Sequence, residues 1–325
     1  MKKSVAVFGV GEGFRGVESQ LKEKYTIKAY VDNDTEKQGN IIDGMPIYPA
    51  EILGEIDFDY VIITPIRFVD IAIQLHRMGV PDSKIKLPLD SISLRVSNES
   101  CVAVKDSVSI ELTTASDALV YHETFISELY GGYYGENITV IDIGMNIGDS
   151  ALFFANNDWV RVVYAYEPFP VYSKAIENIE RNAHIKNKIV PFNYGIVGSP
   201  IYASADYSYD PEWSAGSNIF TQADKGVSIR LMNASDSLSG VVIEAKEKRS
   251  PILLKLDVEG CEYAIINDLY RTGLIKEIDV VLFELHFDPK CDKRQELFAL
   301  LVTSGFKYKY NPNYVHEGGM LYAFR

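Results

Sequence analysis

The chain has 325 residues, room for two ordinary globular domains, and carries 45 acidic against 32 basic side chains, a formal charge of −13. That balance argues against a nucleic-acid partner, which needs a positive face for phosphate, and no Lys/Arg cluster interleaved with aromatics stands out. Three widely spaced cysteines, Cys101, Cys261 and Cys291, argue against a disulfide framework or a zinc site and suit a reducing cytoplasm.

The opening stretch, Met1 to Val10, is too soon interrupted by Glu12 and Arg15 to serve as a signal peptide. No run approaches the ~18 apolar residues of a membrane span. Val5 to Phe8 reads as a short buried strand followed by glycines at 9, 11, 13 and 16. Ser19 to Lys24 has helical character, and Tyr25 to Val31 reads as a second strand ending in Asp32. Asp59 to Pro65 gives a third strand, and Val69 to Met78 places apolar residues at helical spacing. This alternation predicts a small parallel, Rossmann-like sheet over residues 1–88. Gly11, Gly13 and Gly16 fit G-x-G-x-x-G, although Gly9 is the first glycine after the strand, so the register is ambiguous. With Asp32 at the end of the second strand, this half reads either as a site for a nucleotide or nucleotide-sugar or as a degenerate Rossmann-like domain whose glycines only permit close helix–strand packing.

Residues 89–108 lack helical periodicity and read as a connector with short strands. The second domain is expected over 109–325, led in by a helix from Ser116 to Tyr130 and the loop Gly131–Gly135. Its most informative segment is Val140-Ile-Asp-Ile-Gly-Met-Asn-Ile-Gly148, followed by the helical-looking Ser150–Ala155. An apolar strand, a tight turn at Gly144, Asn146 and Gly148, and a helix start make a nucleotide site in an open α/β sheet. Asp142, just before the turn, would repel a pyrophosphate but suits a ligand bearing an ammonium and a sulfonium. Val162 to Glu167 forms the next strand, and Glu167 stands where a carboxylate reads two ribose hydroxyls. Both acids together favour S-adenosyl-L-methionine. Further on, Tyr202 to Ser217 opens a long insert with Tyr202, Tyr207, Tyr209 and Trp213 among polar residues, suited to a lid or a sugar-stacking surface, or to an edge hairpin.

At this point the motifs resemble a family. Val140–Gly148, Ala165-Tyr-Glu-Pro168 with Asn178 and Asn182, Leu254-Lys-Leu-Asp-Val-Glu-Gly-Cys-Glu262, and Val281-Leu-Phe-Glu-Leu-His286 are similar, in order, to the motifs of FkbM-like S-adenosylmethionine-dependent methyltransferases, from about residue 110 onward. The first half more loosely resembles Rossmann-like domains of polysaccharide-biosynthesis enzymes, through Phe8–Gly11 and Tyr30–Asn33. The resemblance implies a class I methyltransferase sheet and O-methylation of a hydroxyl on a sugar, glycan or sugar-bearing metabolite. It would set the Ile252–Leu256 strand beside Val140, and Asn193 near the adenine. Asp257, Glu259 and His286 then become the catalytic candidates, since methyl transfer to oxygen needs help with the hydroxyl proton and an imidazole ordinarily titrates near neutrality. Each also has a structural reading: Asp257 pairing with Lys255, Glu259 and Glu262 capping a helix, His286 at the surface. His122, His184 and His316 read as structural or solvent-facing. No metal ligands are assigned; were the reaction metal-assisted, Asp257 and Glu284 would be candidates. The rival function is a non-catalytic binding protein that keeps the methyltransferase fold.

Overall fold

A computed structural model of the chain describes residues 2–198, 206–218, 226–286, 293–313 and 318–325. Packing divides it into two units, Met1–Ile126 and Ser127–Arg325. Among the described residues no helix is long and apolar enough to cross a membrane. Cys101 and Cys261 are buried and unbridged; Cys291, His316 and Tyr202 lie outside the described residues.

In the first unit, the apolar runs form β1 (Ser4–Phe8), β2 (Thr26–Val31), β3 (Ile41–Ile42), β4 (Met45–Tyr48), β5 (Tyr60–Ile63) and β6 (Ile85–Lys86). Their sheet order is β3-β4-β2-β1-β5-β6, with β1 parallel to both β2 and β5. Helix α1 (Glu12–Lys24) follows β1 and begins earlier than the sequence pattern suggests; α2 (Phe68–Arg77) follows β5.

The expected connector is instead part of a built layer. β7 (Ser93–Val96), β8 (Cys101–Lys105) and β9 (Val108–Leu112) form an antiparallel meander with alternating burial. One face buries Leu94, Val96, Cys101, Ala103, Ile110 and Leu112, so these residues belong to a core, and the boundary by packing falls after Ile126 rather than at 108. The lead-in helix is also shorter than expected. α3 (Ala115–Tyr121) starts at a capping box between Thr114 and Asp117 and gives way to one π-helical turn, His122–Ile126. Lys105 Nζ donates to the Phe125 carbonyl at 2.7 Å, engaging an acceptor that a continuing helix would use.

The second unit holds β10 (Ile138–Ile143), β11 (Val160–Tyr166), β12 (Ile189–Phe192), β13 (Gly195–Val197), β14 (Asp206–Tyr207), β15 (Val227–Ser228), β16 (Leu231–Asn233), β17 (Ile252–Leu256), β18 (Val280–Leu285), β19 (Lys307–Asn313) and β20 (Gly318–Phe324). Its main sheet runs β12-β11-β10-β17-β18-β20-β19, parallel from β12 to β18, with β20 antiparallel between β18 and β19. The helices are α4 (Asp149–Ala155), α5 (Tyr172–Arg181), α6 (Ala234–Glu247), α7 (Glu262–Thr272) and α8 (Arg294–Thr303). Every residue of β10 and of β17 is buried, as continuous apolar runs demand when both faces of a parallel sheet are covered. From β10 the chain builds outward through β11 and β12, then returns to β17 on the other side. The strand order therefore reverses at the carboxyl end of β10, where open α/β sheets bind ligands.

Candidate active site

The bend after β10 is held by backbone constraints that only certain residues satisfy. Gly144 has φ +87°, and a Cβ there would lie 1.9 Å from the Asp257 carbonyl oxygen. Asn146 and Gly148 are also left-handed, at φ +46° and +84°, conformations in which Asn and Gly are the least strained residues. The amides of Gly144 and Met145 donate to the Tyr166 carbonyl at 3.0 and 3.1 Å. The Asn178 amide donates to the Ile147 carbonyl at 3.0 Å, so α5 braces the far side of the bend.

Glu167, just past β11, faces this bend. Its Oε2 accepts from the Asn146 amide at 3.0 Å and its Oε1 from the Phe169 amide at 2.9 Å. Burial pushes its carboxyl up to about 7, against the lowering effect of those two hydrogen bonds. Asn193 is exposed, and its amide donates to the Glu167 carbonyl at 3.0 Å.

Asp142 behaves differently from the expectation that it meets a cationic ligand directly. It is fully buried, its Oδ1 is 3.0 Å from Lys255 Nζ, and its Oδ2 accepts from Ser150 Oγ at 2.7 Å. Lys255 is itself buried and donates to the Gly144 carbonyl at 2.5 Å. Burial works against its charge, but the carboxylates of Asp142, Asp257 and Asp149 more than offset this and hold Lys255 protonated. The physical reason is pairing: a carboxylate at the heart of a parallel sheet needs a counter-charge from within the protein. Asp142 thus fastens β10 to β17 and to the bend.

The same pairing settles what Lys255 does for Asp257. Lys255 is closer to Asp142 than to Asp257, whose Oδ2 is 3.6 Å away. Asp257 remains 29% exposed and lies just past the end of β17. Strand β17 ends at Leu256 and the chain turns, with Glu259 at φ +51°. Even so, Asp257, Glu259 and His286 come together. His286 Nε2 is 3.9 Å from Asp257 Oδ1 and 3.5 Å from Glu259 Oε1, while its Nδ1 meets Glu262 Oε1 at 3.0 Å. Tyr130, buried, donates to Asp257 Oδ2 at 3.5 Å.

Burial pulls the His286 imidazolium down, yet the Glu262 hydrogen bond and the charges of Asp257, Glu262 and Glu259 raise it to about 10. His286 is therefore an imidazolium at neutral pH, not the free base that an ordinary imidazole would supply. Burial pushes Glu259 up to about 7, opposed by His286. Glu262, read from the sequence as a helix cap, sits in the first turn of α7 but is buried against His286. Glu262 and Tyr130 are the two contributors that sequence reasoning missed. The pair suggested for a metal, Asp257 and Glu284, is not the one assembled: among the described residues the convergent set is Asp257, Glu259 and His286.

Part of the aromatic insert reaches the bend. Tyr209 stacks on Phe169, with centroids 5.9 Å apart, and Ser214 Oγ donates to Asn146 Oδ1 at 3.3 Å. Ser214 belongs to a 3-10 turn, Pro211–Gly216, headed by the Asp210 side chain, and Trp213 beside it is 36% exposed. Tyr207 is fully buried in β14, which pairs with β15 as a short hairpin, so it packs a core instead of offering a stacking face. His184 is exposed and His122 half-buried.

In the first unit, the close approaches are at Gly9 and Gly13, where a Cβ would lie 2.3 Å from Pro65 Cγ and from the Thr64 carbonyl oxygen; Gly16 has open space. The glycines that packing requires are therefore 9 and 13 rather than the strict 11-13-16 set. Asp32 accepts from the amides of Val10 and Asp34 at 2.9 and 3.0 Å and pairs with Lys37 at 3.2 Å.

A seven-stranded sheet of this order, with a glycine bend at the reversal and a carboxylate on the neighbouring strand, is the class I methyltransferase architecture. Residues 142–310, just over half of the chain, match the family model described as Methyltransferase FkbM domain, and the chain belongs to that family. Residues 1–86 match the model C2185-like, N-terminal. No curated protein matches the chain in sequence. Among solved structures, the FkbM methyltransferase of Methylobacillus flagellatus KT is similar over 99% of this chain and 90% of its own, at 14% identity and a TM-score of 0.42. TrmK of M. capricolum, in complex with S-adenosyl-homocysteine, covers 62% of this chain and 67% of its own, at 11% identity and a TM-score of 0.35. The precorrin-6y C5,15-methyltransferase of Geobacter metallireducens GS-15 covers 59% and 83%, at 10% identity and a TM-score of 0.30.

Proposed function

We propose that this protein transfers the methyl group of S-adenosyl-L-methionine to a hydroxyl oxygen of a sugar, glycan or sugar-bearing metabolite. One observation carries the reading. The glycine bend and the Asp257–Glu259–His286 cluster adjoin directly, since a single Cβ at Gly144 would collide with the Asp257 carbonyl. A donor held at the bend and an acceptor at the cluster are thereby neighbours, which an in-line transfer needs.

When bound, the cofactor supplies an electrophilic methyl group on a sulfonium; the protein's share is binding, orientation and proton removal. Glu167 offers carboxylate oxygens to the ribose diol, and its charge complements the cofactor's positive groups. The 144–148 bend, with the Asn146 side chain, holds the methionine end, and Asn193 borders the adenine. Asp257, Glu259 and His286 meet the acceptor hydroxyl. With His286 already protonated, the hydroxyl proton passes to a carboxylate of the cluster. Ser214 and Tyr209, resting on Asn146 and Phe169, close the bend from above and exclude water from the methyl group. The first unit takes a nucleotide or nucleotide-sugar at the Gly9–Gly13 bend beside Asp32, a reading that heat released on adding nucleoside-diphosphate sugars would test.

The decisive assay follows release of S-adenosylhomocysteine from S-adenosyl-L-methionine with a panel of sugars, nucleotide-sugars and glycans. Asp257→Asn is expected to lower turnover by about 10²–10⁴-fold with cofactor affinity unchanged. Tight cofactor binding with no release on any hydroxyl acceptor would favour the non-catalytic binding protein instead.

A second expected result concerns pH. Glu167 is the group whose ionised form accepts the ribose hydroxyls, and its carboxyl lies at about 7. An acid that binds its ligand when charged gives affinity that rises with pH, so the cofactor Kd should worsen by about tenfold per pH unit below 7 and level off above 8. Calorimetry from pH 6 to 8.5 measures this; in Glu167→Gln the slope should vanish and the affinity stay low throughout.

A further inference from the structure

We propose that Asp257, Glu259 and His286 form a divalent-cation site, with one oxygen of each carboxylate and His286 Nε2, whose proton the entering ion displaces to solvent, as ligands, taking a first-row ion such as Mn²⁺ and holding the acceptor through its hydroxyl oxygen. The acceptor role rests on the methyl-transfer reading; the cation site does not.

The first support is spacing. One ligand atom from each of the three residues lies within 4.8 Å of the other two, and the two recorded separations from Nε2 are 3.5 and 3.9 Å. Neighbouring donors around a six-coordinate ion at ~2.1 Å stand roughly 3 Å apart, and opposite ones roughly 4.2 Å. Sub-ångström side-chain movements thus bring all three onto one ion. The three side chains are 26–29% exposed, which leaves a path for the ion and positions for water or acceptor.

The second support lies behind the histidine. A metal-ligating imidazole usually gives its other nitrogen to a carboxylate that fixes the ring and its tautomer. Glu262, only 4% exposed, meets Nδ1 at 3.0 Å and is itself anchored by the Gly260 amide at 3.2 Å. This partner turns Nε2 toward Asp257 and Glu259. A surface histidine caught in a chance ion pair has no need of a buried carboxylate on its opposite nitrogen.

Charge gives the third support. Three carboxylates surround one imidazole, and Lys255, 3.6 Å from Asp257, is held closer by Asp142 at 3.0 Å and by the Gly144 carbonyl, so its charge is shared. A dication balances that excess. One imidazole with two carboxylates suits Mn²⁺, Fe²⁺ or Zn²⁺ better than ions that prefer oxygen alone. An ion here makes the acceptor's O–H more acidic, and the proton passes to a cluster carboxylate oxygen that does not ligate the ion. The oxygen lone pair then forms the O–CH3 bond as the S–CH3 bond breaks, and S-adenosylhomocysteine leaves as a neutral thioether.

The test titrates Mn²⁺ into the chelator-treated, full-length protein and follows the paramagnetic resonance signal of free Mn²⁺. One bound ion per chain is expected. His286→Ala and Glu259→Gln should each weaken binding at least tenfold. Glu262→Gln, which cannot reach the ion, should weaken it by about 10–100-fold through His286. Thermal midpoints and cofactor affinity of the variants report folding independently. A free-ion signal undiminished at millimolar protein, or binding indifferent to all three substitutions, overturns the site. Full-rate S-adenosylhomocysteine release in EDTA overturns the acceptor role while leaving methyl transfer intact. Mn²⁺ binding without release on any acceptor supports the site and counts against the methyl-transfer reading.

Discussion

Lys255→Met is expected to cost about 3–5 kcal/mol of stability in the second unit, because it strands the Asp142 carboxylate in the centre of a parallel sheet. Asp142 would keep the hydrogen bond from Ser150 and lose the counter-charge that stands 3.0 Å from it. Lys255 also ties the Gly144 carbonyl, so the bend loosens together with the strands. For a unit of this size each kcal/mol moves the thermal midpoint by roughly 2–4 °C, which makes the change easy to read in a melt. The pH dependence has a definite sign. An unpaired buried carboxyl has a raised folded-state pKa, so its penalty is absent at low pH and grows as pH rises through the ordinary carboxylate range. The deficit of Lys255→Met should therefore shrink on acidification. The double variant Asp142→Asn, Lys255→Met should regain much of the loss at pH 7. If the double variant were no more stable than the single one, the buried pair would not be what joins β10 to β17.

Gly144→Ala is the second large effect, and here the loss is in cofactor binding. A left-handed alanine costs about 1–2 kcal/mol by itself. Its Cβ would also stand 1.9 Å from the Asp257 oxygen and 3.0 Å from the Asp257 carbonyl carbon, atoms of the backbone that cannot rotate aside. The Asp257 amide donates to the Ile143 carbonyl at 3.1 Å, so the two segments can separate only by breaking that link. We expect cofactor affinity to fall by about a hundredfold, equivalent to about 2.7 kcal/mol. Gly148→Ala, whose nearest contacts would be 3.3–3.4 Å, should lose less. Calorimetric titration of both variants with S-adenosyl-L-methionine checks the order; equal losses would mean that left-handed strain alone matters and the approach to Asp257 does not.

The parts of the site that were legible in the sequence are those written locally. Val140–Ile143 announces a strand fully inside a sheet, and Gly144, Asn146 and Gly148 announce a bend, because apolar runs and left-handed residues act over a few positions. Glu167 followed from its distance past the bend. The pairing of β17 with β10 came through family resemblance, and it is what brings Asp257 to the bend. What stayed hidden depends on long-range placement. Nothing near Asp142 shows that Lys255 will reach it, so its charge looked available to a ligand. Glu262 reads as an ordinary acid in a helix's first turn until β18 sets His286 beside it. The helix expected to reach Tyr130 stops at Tyr121, with a lysine from another strand engaging a carbonyl beyond its end. Tertiary contacts, which local periodicity does not record, decided each of these.

The antiparallel strand β20 has a bearing on biogenesis. It pairs with β18 along Val280–Leu285, the strand that leads directly to His286. During synthesis on the ribosome that flank of β18 waits without its hydrogen-bonding neighbour until residues 318–324 have emerged. The glycine bend and Glu167 emerge well before then, whereas β18, which leads to His286, must await β20 for its outer pairing. An unpaired β18 flank is open to mispairing in the interval.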